Sequence, residues 1–216
     1  MSKTIIYYTS NHEDPTFEQK IIDDLLSKKG DLPLISVSQK PMDLGQNICV
    51  GSVGLSYLNA QKQILLGAEL ATTKYIIMAE SDFLYPPEYF NFEPTGDNLY
   101  RYNNIWIMWL NKKGSPFYKK KHSEGAQIVK REFLIEMLKT HLKSYPDWYN
   151  RPTNEFSPRH TPYHRVPLTY YGDSPVISIK TGLGVNPNTR TLGGAENEHT
   201  NLPYWGEVQT LRVKFL

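Results

Sequence analysis

An α/β fold, with a mixed, mostly parallel sheet and helices on both faces, is what the sequence predicts. Three observations carry that expectation. Apolar, β-branched runs alternate with amphipathic stretches from residue 4 to residue 82, giving the order β-α-β-α-β. Each connection is long enough to cross over a sheet face, which parallel neighbours require. The chain of 216 residues, 39% hydrophobic and 21% charged, has the balance of an ordinary globular core, so a single domain over 1–216 is expected.

The first element, residues 4–9 (TIIYYT), reads as a buried strand that runs into the polar loop Thr9-Ser10-Asn11. Thr16 is placed to cap a helix over 17–29, with Phe17, Ile21, Ile22, Leu25 and Leu26 at helical spacing and Gly30 as its stop. Residues 33–38 form a second strand, and Pro41, Gly45 and Gly51 mark a long loop. Residues 52–71 read as a helix packing through Leu55, Leu58 and Leu65. The hydrophobic strand that follows ends abruptly in Glu80 and Asp82. Beyond it, 98–110 reads as one or two strands with a turn at Asn103-Asn104. Residues 124–145 carry an amphipathic helical pattern through Ala126, Val129, Phe133 and Met137, flanked by Leu134, Leu138 and Leu142. Residues 146–167 lack periodicity and read as a long ordered loop, and 175–180 is a last strand before Gly182 and Gly184.

Composition narrows the class. With Cys49 as the one cysteine, no intrachain disulfide can form, which favours a reducing compartment. No stretch approaches the ~18 apolar residues of a membrane span, and the N-terminus turns polar too soon for a signal peptide. A cytoplasmic protein without integral membrane association is expected. Net charge is only +2, but its distribution is uneven. Lys112, Lys113, Lys119, Lys120, Lys121 and His122 form one basic cluster; Arg151, Arg159, His160, His164 and Arg165 form a looser one. Such clusters follow a phosphate backbone or lie in solvated loops. The 15 tyrosines suit either a surface that holds sugars and bases or a Tyr-rich core.

The chemistry concentrates at Glu80 and Asp82. Alternation along an extended chain points residues i and i+2 to one side, so both carboxylates can share a cation. Oxygen ligands suit Mg²⁺ or Mn²⁺, with further positions left for water and diphosphate oxygens. In such sheets ligands gather beyond the carboxyl ends of the strands, where Thr9-Ser10-Asn11 also lies. Ser56, Asn59 and Gln63 make a neutral polar stripe on the intervening helix, a face suited to a nucleotide or sugar or simply a polar surface.

These residues resemble the glycosyltransferases of the GT-A (Rossmann-like) fold, whose family-two members carry G-x-S-x-x-x-N, a helix, then A-x-x-x-Y, a hydrophobic run and D-x-D. The counterparts are Gly54-Leu55-Ser56-Tyr57-Leu58-Asn59, then Ala71 through Tyr75 to Glu80-Ser81-Asp82. The E-x-D motif followed by Leu84-Tyr85-Pro86-Pro87 is similar to a small subgroup that decorates hydroxymethylated pyrimidines in bacterial-virus DNA. The resemblance covers residues 4–110. It implies that 1–110 forms a nucleotide-sugar half and 111–216 an acceptor half. Thr9, Ser10, Asn11, Ser56, Asn59 and Gln63 would then serve a donor, UDP-sugar being usual, and Glu80 and Asp82 a Mn²⁺ or Mg²⁺ ion. Asn59 is offset from the usual spacing. Where relatives often supply an H-G metal ligand, this chain reads Lys180-Thr181-Gly182. Thr181, a water, or one of His160, His164 and His199 would replace it, or Lys180 would contact the diphosphate. A double-stranded DNA acceptor would meet Lys119, Lys120, Lys121, Arg151, Arg159 and Arg165, while a glycan acceptor needs none of them. Glu124, at the predicted start of the 124–145 helix, is the candidate base, ahead of Asp147, Glu155 and Asp173; a retaining mechanism would need no base. A nucleotidyltransferase or an inactive binding relative are the other readings.

Overall fold

The computed structural model of the chain describes residues 2–149, 166–184 and 191–216. Its elements run β1 (Lys3–Tyr8), α1 (Pro15–Leu26), β2 (Leu34–Ser38), β3 (Gln46–Cys49), α2 (Tyr57–Leu70), β4 (Tyr75–Glu80), β5 (Phe83–Leu84), α3 (Pro87–Asn91), β6 (Leu99–Tyr102) and β7 (Ile105–Trp109). Then come β8 (Phe117–Lys120), β9 (Gln127–Lys130), α4 (Arg131–Leu142), β10 (Leu168–Tyr170), β11 (Val176–Lys180), β12 (Glu198–His199), β13 (Asn201–Leu202), β14 (Gly206–Glu207) and α5 (Val208–Phe215).

The main sheet has the order β10-β6-β9-β4-β1-β2-β3. Strand β1 pairs in parallel with β2 and β4, β2 with β3, and β10 with β6; β9 alone runs antiparallel, to both β4 and β6. Strands β1, β2 and most of β4 are buried on both faces, as continuous apolar runs demand. On one face Ile5 and Tyr7 pack with Ile22 and Leu25 of α1. On the other, Ile6 and Tyr8 meet Leu58, Ile64 and Ala68 of α2 and Leu134 and Leu138 of α4. Helices therefore cover both faces of a mostly parallel sheet, the GT-A-like arrangement. A second sheet, β12-β8-β7-β11-β5, packs through Trp106, Met108, Ile177 and Ile179 against Phe17 and Ile21 of α1 and Leu211 and Phe215 of α5.

Several boundaries differ from expectation for identifiable reasons. Helix α1 is capped by Asp14, whose side chain accepts from the Thr16 and Phe17 amides, and Pro15 opens it; Thr16 is already inside, and the helix ends at Leu26. The expected loop around Gly45 contains β3, which extends the main sheet at its edge. The pattern over 124–145 is not one helix. Residues 127–130 are β9, inserted between β4 and β6, and α4 occupies only Arg131–Leu142. Pairing on both sides of β9 overrides the local helical period. The strands over 98–110 do turn at 103–104, yet β6 joins the main sheet and β7 the second. Most of the expected loop 146–167 lies outside the described residues. Among the described residues no helix is long and apolar enough to cross a membrane.

Candidate active site

Strands β1, β4 and β11 deliver their C-terminal residues to one cleft of ≈ 300 Å³. Its lining includes Thr9 and Ser10 after β1, Glu80 to Phe83 from the end of β4 to the start of β5, Lys180 to Gly182 at the end of β11, and Lys120, His122, Ser123 and Glu124 at and beyond the end of β8. Each strand is fixed by its neighbours, so groups distant in sequence converge on a rigid frame.

Glu80 is the last residue of β4, in register with Tyr8 of β1. The Tyr8 hydroxyl donates to Glu80 Oε1. The Glu80 amide donates to the Tyr85 hydroxyl at 2.9 Å, which itself donates to the Gly125 carbonyl at 2.7 Å. Gly125 touches the carboxylate: a Cβ there would lie 2.6 Å from Glu80 Cδ. Burial, with the Asp82 charge adding to it, pushes the Glu80 carboxyl up to about 7. Asp82, in the turn after β4, accepts from Lys180 Nζ at 2.8 Å. Lys180 is 9% exposed; burial alone would lower its ammonium, but Asp82 and Glu80 outweigh it and hold it above the usual lysine range. Lys120 donates to Ser123 Oγ at 3.2 Å, and burial, then the neighbouring Lys180 charge, lowers it to about 8. The two ammonium groups sit 5.6 and 5.8 Å from the centre of the Phe83 ring.

Glu80 and Asp82 both line this cleft, each held by its own partner, Tyr8 and Lys180. Among the described residues no group of three or more His, Cys, Asp and Glu side chains converges. Mg²⁺ and Mn²⁺ are commonly held by one or two carboxylates plus substrate phosphates and water. A carboxylate raised to about 7 by burial and a like charge gains from a cation, so the pair fits a metal completed by ligand oxygens. Of the expected third ligands, Thr181 lines the cleft. His199 instead packs edge-on against Trp106, with ring centres 4.9 Å apart, and His160 and His164 lie outside the described residues.

The other expected site residues divide. Asn11 turns away from the cleft with φ of 51°, its Oδ1 accepting from the Gln39 and Lys40 amides at 2.9 and 2.8 Å. It clamps the β2 exit. Ser56, Asn59 and Gln63 do line the cleft, and each also has a polar group engaged within the fold. Ser56 caps α2. Asn59 Nδ2 donates to the Val53, Gly54 and Tyr149 carbonyls, and Gln63 Nε2 to the Thr9 and Val37 carbonyls. They shape the wall. Glu124 faces the cleft from a turn, not from a helix start. Lys119, Lys120 and Lys121 do not form one basic stripe. Lys120 enters the cleft, Lys119 lies over Trp106 with a 3.2 Å contact to Asn104 Oδ1, and Lys121 is exposed. Arg151, Arg159 and Arg165 lie outside the described residues. Sequence reasoning missed Glu13, which lines the cleft 8% exposed, with Oε2 lacking a hydrogen-bond partner. Burial raises its carboxyl, while a hydrogen bond with Thr181 opposes the rise. Its signal was an acid in the loop following β1.

No protein-family model matches the sequence, and no curated protein matches it. Solved structures do. The inositol-1-phosphate CTP transferase from T. maritima aligns with a TM-score of 0.52 at 11% identity, over 84% of this chain and 90% of that one. S. aureus TarS 1-349 in complex with UDP-GlcNAc gives 0.42 at 14% identity, over 63% of this chain and 47% of that one. The glycosyltransferase GlyE of Streptococcus pneumoniae TIGR4, in its apo form, gives 0.39 at 8% identity, over 67% and 38%. The chain thus spans about half the TarS fragment's length or less. What the nearly full-length alignment with the CTP transferase shows is a shared fold, a Rossmann-like α/β sheet.

Proposed function

We propose that the chain is a metal-dependent glycosyltransferase that takes a nucleotide-sugar, a UDP-sugar, and passes the sugar to a hydroxyl acceptor. One observation carries the reading: the ends of three non-adjacent segments, Thr9-Ser10, Glu80-Ser81-Asp82 and Lys180-Thr181, line a single cleft. The problem of glycosyl transfer is the negative charge on the departing nucleoside diphosphate. A Mn²⁺ or Mg²⁺ ion held by Glu80 and Asp82 supplies Lewis-acid neutralisation there. Lys180 and Lys120 add positive charge beside the same carboxylates. Tyr8 and Tyr85 hold the Glu80 side chain and backbone in place. Glu124, on the cleft wall, is the candidate base that takes the proton from the acceptor hydroxyl.

For the acceptor, we favour 5-hydroxymethylpyrimidine in double-stranded DNA. Lys121, Lys112 and Lys113 are exposed on the chain segments around β8, in reach of solvent where a phosphate backbone would lie. A target base would leave the stack to reach the cleft. A nucleotidyltransferase is less well served by this site. The loop after β1 offers His12, Glu13 and Asp14 with no Lys or Arg to meet a triphosphate.

The test is incubation with Mn²⁺, a panel of UDP-sugars, and DNA duplexes with and without 5-hydroxymethylpyrimidines, followed by nucleoside mass spectrometry. A sugar adduct on the modified base, lost in Asp82→Asn, is the expected result. UDP-sugar hydrolysis without DNA modification would keep the donor reading and move the acceptor to a glycan. Pyrophosphate release from a nucleoside triphosphate and a sugar phosphate would replace the proposal with nucleotidyl transfer.

A further inference from the structure

The ion pair between Lys180 and Asp82 sits where the proposed cation must bind. It is well built. Both side chains are largely buried, 10% and 16% exposed, with Nζ 2.8 Å from Oδ2. Their backbones are joined too: the Ile179 amide donates to the Asp82 carbonyl at 2.7 Å, and β11 runs antiparallel to β5 beside it. The far side of β11 is fixed by β7, with Lys180 in register with Trp109 and its carbonyl accepting from the Leu110 amide at 2.9 Å. The main chain is therefore held on both sides while the four-carbon lysine stem is free to take other rotamers. If the ammonium leaves Asp82 it stays near Lys120, since both ammonium groups already flank the Phe83 ring. Two cations confined there repel unless an anion separates them.

We propose that Lys180 is an internal counter-ion for Asp82, exchanged for the divalent cation on binding and then turned onto the diphosphate of the nucleotide. This rests on the nucleotide-sugar reading and deepens it by assigning an order of charges to the same cleft. A cation arriving alone must break a buried ion pair and leave an ammonium without a partner, so it binds weakly. A cation arriving with a diphosphate gives Asp82 and Lys180 new partners at once. Metal and nucleotide consequently bind with positive coupling, and linkage makes that coupling equal in both directions. A lysine of purely structural role predicts neither effect. A lysine that only contacts phosphate predicts weaker nucleotide binding without tighter metal binding.

The experiment measures Mn²⁺ binding to the full chain at pH 8 by electron paramagnetic resonance, with and without UDP. The proteins are wild type, Lys180→Met, Lys180→Gln and Lys180→Arg, each checked for folding by circular dichroism. Wild type should bind Mn²⁺ alone weakly and roughly ten-fold or more tightly with UDP, within the usual range of coupling. Met or Gln should bind Mn²⁺ alone at least about five-fold more tightly than wild type and lose most of the UDP enhancement. Arg, which keeps the charge on Asp82, should resemble wild type in Mn²⁺ alone. Unchanged or weaker Mn²⁺ binding in whichever neutral variant folds overturns the exchange. Failure of UDP to bind wild type with Mn²⁺ sinks the nucleotide reading instead. In that case inorganic pyrophosphate replaces UDP as the probe, and the Mn²⁺ comparison among variants still decides the exchange.

Discussion

Glu80 is the residue on which the cleft's electrostatics turn. Its carboxyl is raised to about 7 by burial and by Asp82, against an ordinary value of 4.5. Below pH 4.5 it is neutral folded or unfolded and contributes no pH dependence. Between there and about 7 the folded state holds the proton that the unfolded state releases, so stability falls as pH rises. Above about 7 the folded protein carries the full cost, on the order of 3 kcal/mol without a bound cation. Glu80→Gln keeps an amide oxygen to accept from Tyr8 and removes the charge. In chelator it should melt roughly 5 °C or more above wild type at pH 8 and close to it at pH 5. Parallel pH profiles for the two proteins would show that the carboxylate is not strained by its surroundings. The same titration makes cation binding pH-dependent, since the ligand must be ionised. Asp82, the other candidate ligand, is paired with Lys180 Nζ at 2.8 Å.

At the scale of elements, α2 shows how a polar helix face serves the site indirectly. Asn59 is 1% exposed and gives hydrogen bonds to the Val53, Gly54 and Tyr149 carbonyls while accepting from the Tyr149 amide at 2.8 Å. Asn59→Ala would strand these backbone groups, at a cost of about 2–4 kcal/mol. Amide hydrogen exchange should accelerate at residues 53, 54 and 149 before it does in β1; uniform change across the sheet would contradict the pinning role. The stripe of Ser56, Asn59 and Gln63 was legible in the sequence, but not its use. A neutral amide that meets a ligand and one that meets a loop carbonyl look the same until the loop is placed. The strand ends were legible for a different reason. Buried apolar runs that stop at Tyr8, Glu80 and Lys180 announce themselves locally, and the fold brings all three to the cleft. The start of the 124–145 pattern misled because Ala126 and Val129 suit a helical period, while their burial comes from β4, β6 and the core around them. Glu13 was missed because an acid in a polar loop carries no mark of the burial that later surrounds it.

The whole molecule is not two halves set side by side. Strand β9, from the second half of the chain, lies between β4 and β6 of the first, and β10 extends the same sheet beyond β6. In return β5 joins β11 in the second sheet. Helix α1 serves both cores, sending Ile22 and Leu25 to one and Phe17 and Ile21 to the other. Arg212 of α5 ties the second sheet further, giving hydrogen bonds to the Trp109 and Ser115 carbonyls at 2.9 and 2.7 Å. Neither sheet can complete its packing while the other is unfolded, so the chain should unfold in one cooperative step despite its two sheets. With Trp148, which lies beside Lys62 of α2, replaced by Phe, the remaining Trp106, Trp109 and Trp205 report on the second sheet by fluorescence, and far-ultraviolet circular dichroism reports on the helices, of which α2 and α4 pack on the first sheet alone. In guanidinium the two midpoints should coincide. Phe17→Ala, which empties a buried site in the second core, should cost about 3–5 kcal/mol and move both midpoints together. A fluorescence midpoint that moves alone would mean that the second sheet melts independently. The cleft, whose walls come from both sheets, would then be assembled by docking and not by folding.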